Sequence, residues 1–481
     1  MGRRFHFCLW LAAALCVVSL LTAAVAGGAT GPIRISPDRR FFQLPDGAPF
    51  FWLGDTAWFL LHRLNREETE RYLADRADKG FNVIQVTVLG NVQSRNLHYG
   101  VPALLEGDPA KPNVTPGADP AKPGEYDYWD HLDWVLDRAA GRGIHLGLVV
   151  AWGSMVNRGH LHEGNVESYA RFLARRYRGR PNIVWILGGD TYGDRRPEVW
   201  RALGRTLKQE DPDHLITFHP FGRTQSSSWF HQEPWLDFNM FQSGHRRYDQ
   251  DDTPSRRGED NWRYVVEDYA KQPPKPTLDG EPSYEDIPQG LHDPSQPYWT
   301  ANDCRRYAYW SVFAGACGHT YGHNAVMQMH RPGVGKGAYG VRKYWYEALD
   351  DPGARHMRHL KQLVLSRPYF ERVFDPGAVA DNGERYQFVI AMRGKQYLMA
   401  YTYVGRTFRL RMGRIHGSSV RAWWYDPRTG AAAEIAVLPN RGEREFDPPG
   451  DPAPGNDWVL VLDDASAGFP PPGRTEGEGK P

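Results

Sequence analysis

Cysteine is scarce in this chain, with four residues in 481. Cys8 and Cys16 fall in an apolar N-terminal stretch, which leaves Cys304 and Cys317 for the folded part. These two flank an expected helix that would hold them roughly 20 Å apart, beyond the reach of a disulfide. Stability therefore has to come from packing. Net charge is lacking too: 58 Lys and Arg stand against 57 Asp and Glu. Such a balance argues against nucleic acid or an anionic membrane as partner. No Gly-rich nucleotide turn follows the first strand, which disfavours a dinucleotide-binding doubly wound sheet. No internal repeat points to a solenoid or propeller.

The one long hydrophobic run is N-terminal. Arg3 and Arg4 precede a mostly apolar stretch over 5–21, and Ala24-Val25-Ala26 is a small-residue cleavage site. Residues 1–26 thus have the form of a signal peptide, with an uncleaved anchor helix as the competing reading. Cleavage would remove two arginines and take the formal charge from +1 to −1. The expectation is a secreted or periplasmic protein with no membrane partner after cleavage.

Aromatics are abundant, with 17 Trp and 24 Tyr; flat rings of this kind stack on sugars, and they also fill large cores. From residue 50 onward, short apolar runs alternate with amphipathic stretches. The runs are 50–53, 81–88, 144–152, 183–187, 215–219, 238–242, 276–279 and 318–321. Helical patterns occupy 67–79, 129–142, 165–178, 196–210, 260–271, 300–314 and 353–366. Eight alternations predict an α/β fold of the (β/α)8 TIM barrel type over 27–366. The Pro- and Gly-rich segment 91–128 is then an elaborated loop on the catalytic rim. After Arg367-Pro368 the pattern becomes short alternating strands, which predicts a small antiparallel β-sandwich over 367–463. Residues 464–481 have little to bury and are expected to be disordered.

Two segments carry the chemistry. Trp185-Ile186-Leu187-Gly188-Gly189-Asp190 and Lys275-Pro276-Thr277-Leu278-Asp279-Gly280-Glu281 are apolar runs that end in Gly and a carboxylate. A buried parallel strand that opens into an active site has this form. By strand count they are the fourth and seventh, and paired carboxylates from two strands are the equipment for cleaving a glycosidic bond. Period-two alternation places Thr277, Asp279 and Glu281 on one face, with Glu281 nearest the mouth. Glu285 is the rival nucleophile.

These segments resemble the fourth- and seventh-strand signatures of clan A glycoside hydrolases. Asp190 stands where the acid/base Glu is usual, and Gly189 where an Asn usually precedes it. The whole chain resembles more closely the apiosidase-like glycoside hydrolases, whose barrel is followed by a collagen-binding-like domain. The resemblance rests on 51–58, 80–85, 216–220, 235–240, Gln242-Ser243-Gly244-His245 and 280–285. It implies an Asp acid/base and a Glu nucleophile, at Asp190 and Glu281, working by double displacement with no cofactor. It also implies a furanosidic apiose- or arabinose-type linkage in a plant or cell-wall polysaccharide as substrate.

Other strand-end residues are candidate substrate-binding groups: Asp55, Trp58, Trp152, His219, Arg223, Gln225, Gln242, His245 and Tyr284. Asp55 could equally cap a helix, and the two tryptophans could be core. His319 and His323, four apart, suggest a metal; but Gly318 and Gly322 break the helical face that such a pair needs. They are assigned to sugar binding or core hydrogen bonding, with no metal site. Two other readings remain: a non-catalytic matrix or carbohydrate-binding protein, and a metal-dependent isomerase or deacetylase built on those histidines.

Overall fold

The computed structural model describes residues 31–122 and 124–474. The proposed signal segment lies outside the described residues. Eight parallel strands form the barrel: β1 (Trp52–Thr56), β2 (Val83–Thr87), β3 (His145–Val149), β4 (Ile183–Thr191), β5 (Ile216–Pro220), β6 (Asn239–Gln242), β7 (Thr277–Asp279) and β8 (Gly318–Tyr321). They pair in the order β5-β4-β3-β2-β1-β8-β7-β6, with Thr224–Gln225 added antiparallel to β6. The ring is left open only between β5 and β6. There Asp237 N donates to Ile216 O and Thr217 Oγ1 to Phe238 O, at 2.9 and 2.8 Å. A TIM barrel with one loosely laced seam results.

Strand alternation explains how the layers assemble. On β4, Val184 and Ile186 belong to the core inside the barrel, while Trp185 and Leu187 pack with the surrounding helices. Trp185 Nε1 reaches Asp211 at 2.8 Å, beyond the C-terminal end of helix Pro197–Glu210. Helix starts follow capping chemistry. Asn65 and Asp127 each form a capping box, with Glu68 and Asp130 at the third helical position. A small antiparallel meander, Arg34–Ile35, Phe42–Gln43 and Pro49–Phe50, closes the bottom, where Phe42 lies edge-on to Phe238 at 5.0 Å. Cys304 and Cys317 are buried, free thiols.

After helix Pro352–Leu365 the chain enters two antiparallel layers. One has six strands from Val373–Phe374 to Ala432–Pro439; the other pairs Phe408–Arg411 with Glu443–Phe446. Alternation splits the larger sheet between two cores. Ile390, Met399, Tyr401, Trp423, Tyr425 and Val461 join the core that continues into the barrel, while Ala391, Ala400, Trp424 and Leu462 face the second layer. The barrel side of this junction is helix Ala301–Phe313. Tyr309 stacks on Tyr401 at 4.7 Å, and Trp262 stacks on Phe388 at 4.7 Å. Arg305 makes a bidentate pair with Asp457 at 2.6 and 2.8 Å, both groups fully buried.

The expected disorder from residue 464 is corrected for part of the tail. Trp458–Asp464 is a central strand, and the residues that follow return to Arg367. The Arg367 guanidinium lies 4.8 Å from the Phe469 ring and donates to Pro470 O at 3.0 Å. Gly473 N adds a bond to Ser366 Oγ at 3.0 Å, so the segment is held by polar contacts as well as by one aromatic ring.

Because one apolar core crosses the junction, the barrel should not survive alone. Truncation after residue 366 would expose Tyr309 and Phe313. It is expected to yield insoluble protein, or protein with a melting temperature lowered by at least several degrees. Thermal unfolding of the soluble fraction checks this; a truncated barrel melting at the full-length temperature would contradict it.

Candidate active site

At the C-terminal ends of the strands lies a cavity of about 750 Å³. Asp190 and Glu281 stand in it together. A carboxylate oxygen of each, and a ring nitrogen of His219, lie within 4.8 Å of one another.

Asp190 gets there through a break in β4. Gly188, Gly189 and Asp190 all have positive φ (91°, 96° and 48°), and the register with β5 slips between Gly188 and Thr191. The first two must be glycine. A Cβ on Gly188 would lie 2.3 Å from His219 O, and one on Gly189 would lie 2.8 Å from the Trp152 ring. The indole thus fills the space a side chain at 189 would occupy. Asp190 itself is strained by its left-handed backbone, a cost that recurs at functional positions.

Glu281 lies beyond the end of β7. The expected common face for Thr277, Asp279 and Glu281 is corrected. Thr277 Oγ1 bonds Asp268 on helix Trp262–Tyr269, and Asp279 accepts from Ser243 Oγ and Asn261 Nδ2 at 2.6 and 3.0 Å. Both therefore turn toward the helix layer. Alternation stops at Gly280, whose carbonyl is held by Gln85 Nε2 at 2.7 Å, and Glu281 enters the cavity from the turn that follows. Glu285, the rival nucleophile, faces elsewhere: it accepts from Tyr321 OH at 2.6 Å and Gly353 N at 3.0 Å.

Two imidazoles flank Glu281. His245 Nε2 bonds Oε1 at 3.0 Å; its Nδ1 faces the Tyr284 N–H at 3.4 Å, so Nε2 carries the donated proton. His219 Nε2 stands 3.1 Å from Oε2, close but poorly aligned. Burial would raise the Glu281 pKa, but the bonds and charge of the two histidines outweigh it and hold the carboxyl at about 2. Asp190 goes the other way. Desolvation and the adjacent Glu281 charge push it up to about 6, opposed by His219, Gln242 and His245. Its side chain is solvent-exposed and lines the cavity. His219 is shifted upward: burial would lower it, but the two carboxylates favour its proton.

Trp58, Trp152 and His219 cluster beneath the pair, with Trp58 5.4 Å from each of the other rings. Gln242 and Tyr284 line the cavity, and their Oε1 and OH atoms are buried with no hydrogen-bond partner among the described residues. Arg223 reaches the rim with Arg246, and both guanidinium groups approach Asp252, at 3.4 and 2.8 Å.

Four expected binding residues lie elsewhere. Asp55 neither binds sugar nor caps a helix; buried on β1, it pairs with Arg76 and accepts from Tyr72 OH at 2.6 Å, tying the strand to helix Arg66–Asp78. Gln225 bonds Asp268 and Tyr264 O, because the short Thr224–Gln225 strand turns it outward. His319 is fully buried, with Ser311 Oγ at 3.4 Å, and burial lowers its pKa to about 3. His323 bonds Asp351 at 2.7 Å and caps the short helix Asn324–Met327. These histidines do not converge, and the metal reading built on them fails. Among the described residues, Asp190, His219 and Glu281 are the group spaced to hold a cation.

Several cavity residues were not foreseen: Phe59, His62, Arg63, Asn91, Arg246, Lys336 and Tyr339. The last two belong to Arg331-Pro332-Gly333-Val334-Gly335-Lys336-Gly337-Ala338-Tyr339-Gly340, where four glycines have positive φ. That glycine spacing was the available signal of a rim loop.

A barrel carrying two close carboxylates of opposite pKa shift at its strand ends is that of a glycoside hydrolase. The comparisons agree. An apiosidase-like catalytic domain matches residues 36–371, and a "putative collagen-binding domain of a collagenase" matches 373–463. The chain belongs to the apiosidase-like family. A solved glycoside hydrolase is 46% identical over 91% of this chain and 98% of its own, with a TM-score of 0.86. A glycoside hydrolase family 5 protein from Bacteroides vulgatus ATCC 8482 is 45% identical over 92% and 95%, with a TM-score of 0.87. No curated protein sequence matches the chain.

Gly189→Ala tests the bulge. Its Cβ would force Trp152 aside at a positive φ, at a cost of about 1–3 kcal/mol, and should displace Asp190. The expectation is a folded, less stable enzyme with sharply reduced kcat. Near-normal kcat would show that the bulge does not position the acid.

Proposed function

We propose that this glycoside hydrolase works with retention of configuration on a furanosidic, apiose- or arabinose-type linkage in a plant or cell-wall polysaccharide, outside the cell or in the periplasm. The observation that carries the mechanism is the 4.8 Å limit between the Asp190 and Glu281 oxygens. Retaining glycosidases hold their carboxyl groups about 5–5.5 Å apart, whereas inverting ones leave about 6.5–9.5 Å for a water.

The roles follow from the electrostatics. Glu281, held ionised by His219 and His245, attacks the anomeric carbon as the bond to the leaving oxygen breaks. Asp190, whose proton is retained up to about pH 6 by burial and by the Glu281 charge, gives that proton to the leaving oxygen. Once Glu281 is consumed in the glycosyl-enzyme its negative charge is gone, and Asp190 becomes more acidic. It then takes a proton from water while the water oxygen attacks the same carbon and releases Glu281. Both steps balance without a cofactor.

The substrate reading draws on family membership and on the cavity. Trp58 and Trp152 crowd the space beside the pair, which suits a small ring, and Gln242 and Tyr284 offer polar atoms for its hydroxyls. Arg63, Arg223, Arg246 and Lys336 line the same cavity and suit acidic sugars next to the cleaved residue, as pectins contain. The sugar released from a panel of pectic and arabinan fractions tests this; release from neutral β-glucans or mannans alone would refute it.

Asp190→Asn and Glu281→Gln should each lower kcat roughly 10³-fold while leaving the fold intact. Asp190 works protonated, so kcat/KM should fall as pH rises through about 6. Glu281 works ionised, so the acid side should fall only near pH 2. Asp190→Asn should abolish the alkaline limb. Proton NMR of the first-formed sugar should show the substrate's anomeric configuration; an inverted product would overturn the double displacement.

A further inference from the structure

His245 and Arg246 reach the cavity on a long segment, residues 243–261, between β6 and helix Trp262–Tyr269. This segment has little regular structure of its own beyond the turn Tyr248–Gln250. Its far side is fastened at Glu259, a fully buried carboxylate. Glu259 accepts from Tyr248 N at 3.3 Å, which closes the segment on itself, and pairs with Arg306 of helix Ala301–Phe313. Its third partner comes from the C-terminal domain: Tyr386 OH donates to Oε1 at 2.7 Å. Tyr386 also lies edge-on to the Tyr248 ring at 5.5 Å, and the Arg385 guanidinium sits 5.2 Å from that ring.

We propose that the C-terminal domain positions the catalytic histidine loop, with Tyr386 as the positioning residue that acts through Glu259 on His245. The inference rests on reading the cavity as the catalytic centre. Tyr386 touches no reacting atom. The cavity end of the segment is already tied to 281–299, with Gly290 N and Trp299 Nε1 donating to His245 O at 2.7 and 3.0 Å; Tyr386 restricts its far end, so that His245 Nε2 stays on Glu281 Oε1. Buried in low dielectric, the Glu259 network resists distortion as a unit. The C-terminal domain is then part of the active-site scaffold and not an independent binding module.

Tyr386→Phe removes only the hydroxyl. Tyr425→Phe is the matched control: its OH donates to His359 O across the same domain junction at 2.8 Å, away from the loop and from Glu259. Both variants should melt somewhat below wild type. Only Tyr386→Phe should increase hydrogen exchange at amides 246–258 and lower kcat/KM by about tenfold, the order expected for losing a hydrogen bond to a charged group. It should also move the acid limb upward in pH, because Glu281, which faces His219, His245, Asp190 and Tyr284, loses part of its proton-donor support. Arg385→Ala should repeat the exchange result by a different contact. If both Tyr386→Phe and Arg385→Ala match Tyr425→Phe in loop exchange and in acid limb, the proposal is wrong. If wild type cleaves no glycan, the glycosidase reading fails, and the exchange comparison alone decides whether the C-terminal domain holds the loop.

Discussion

Two carboxylates held within 5 Å in a desolvated cavity cannot both be ionised at little cost. Much of the site can be understood as a means of deciding which one carries the proton. The two imidazoles stand against Glu281, so the negative charge settles there, and the proton is left on Asp190. The same repulsion makes the second half of the reaction possible. In the proposed double displacement the Glu281 charge disappears into a covalent bond, and of the two causes that raise the Asp190 pKa only desolvation is left.

That interaction requires the Asp to approach Glu281 closely, which a regular strand end would not ensure for so short a side chain. The Gly188-Gly189 bulge supplies the reach by putting three successive residues at positive φ. It works only because His219 O and the Trp152 ring close the space beside each glycine. Backbone shape, aromatic packing and acid position are therefore one constraint. Aspartate in place of glutamate, and glycine before it, form a matched set.

The barrel was legible because its signals are local. Apolar runs between amphipathic stretches record the two-layer burial of each strand, and all eight strands appear where the runs lie, with edges shifted by a few residues. That Asp190 and Glu281 meet in one cavity was legible because each follows glycine at the end of an apolar strand. What escaped was decided by partners distant in sequence. Asp55 looks like a rim residue until Arg76 and Tyr72 claim it. His319 and His323 share a motif but turn to Ser311 and Asp351. Asp279 and Glu281 obey alternation on paper, yet Gly280 ends the strand between them. The Lys336 and Tyr339 loop was hidden for a different reason: it lies outside any periodic pattern, and glycine spacing alone says only that the chain turns.

The C-terminal domain illustrates the same limit at larger scale. Its strands were readable from alternation, but alternation cannot say what each face meets. One face meets its own second layer. The other meets the barrel through Tyr401, Phe388 and the buried Arg305–Asp457 pair. An ion pair with both partners out of water costs several kcal/mol to desolvate and is tolerated where its geometry is fixed on both sides. Its bidentate form between the two domains selects one docking angle over neighbouring ones that apolar contact alone would accept. Arg306, next in sequence, carries that alignment to Glu259 and from there to the segment bearing His245. Orientation of the two domains and orientation of the nucleophile's partner are in this way coupled through two adjacent arginines on one helix.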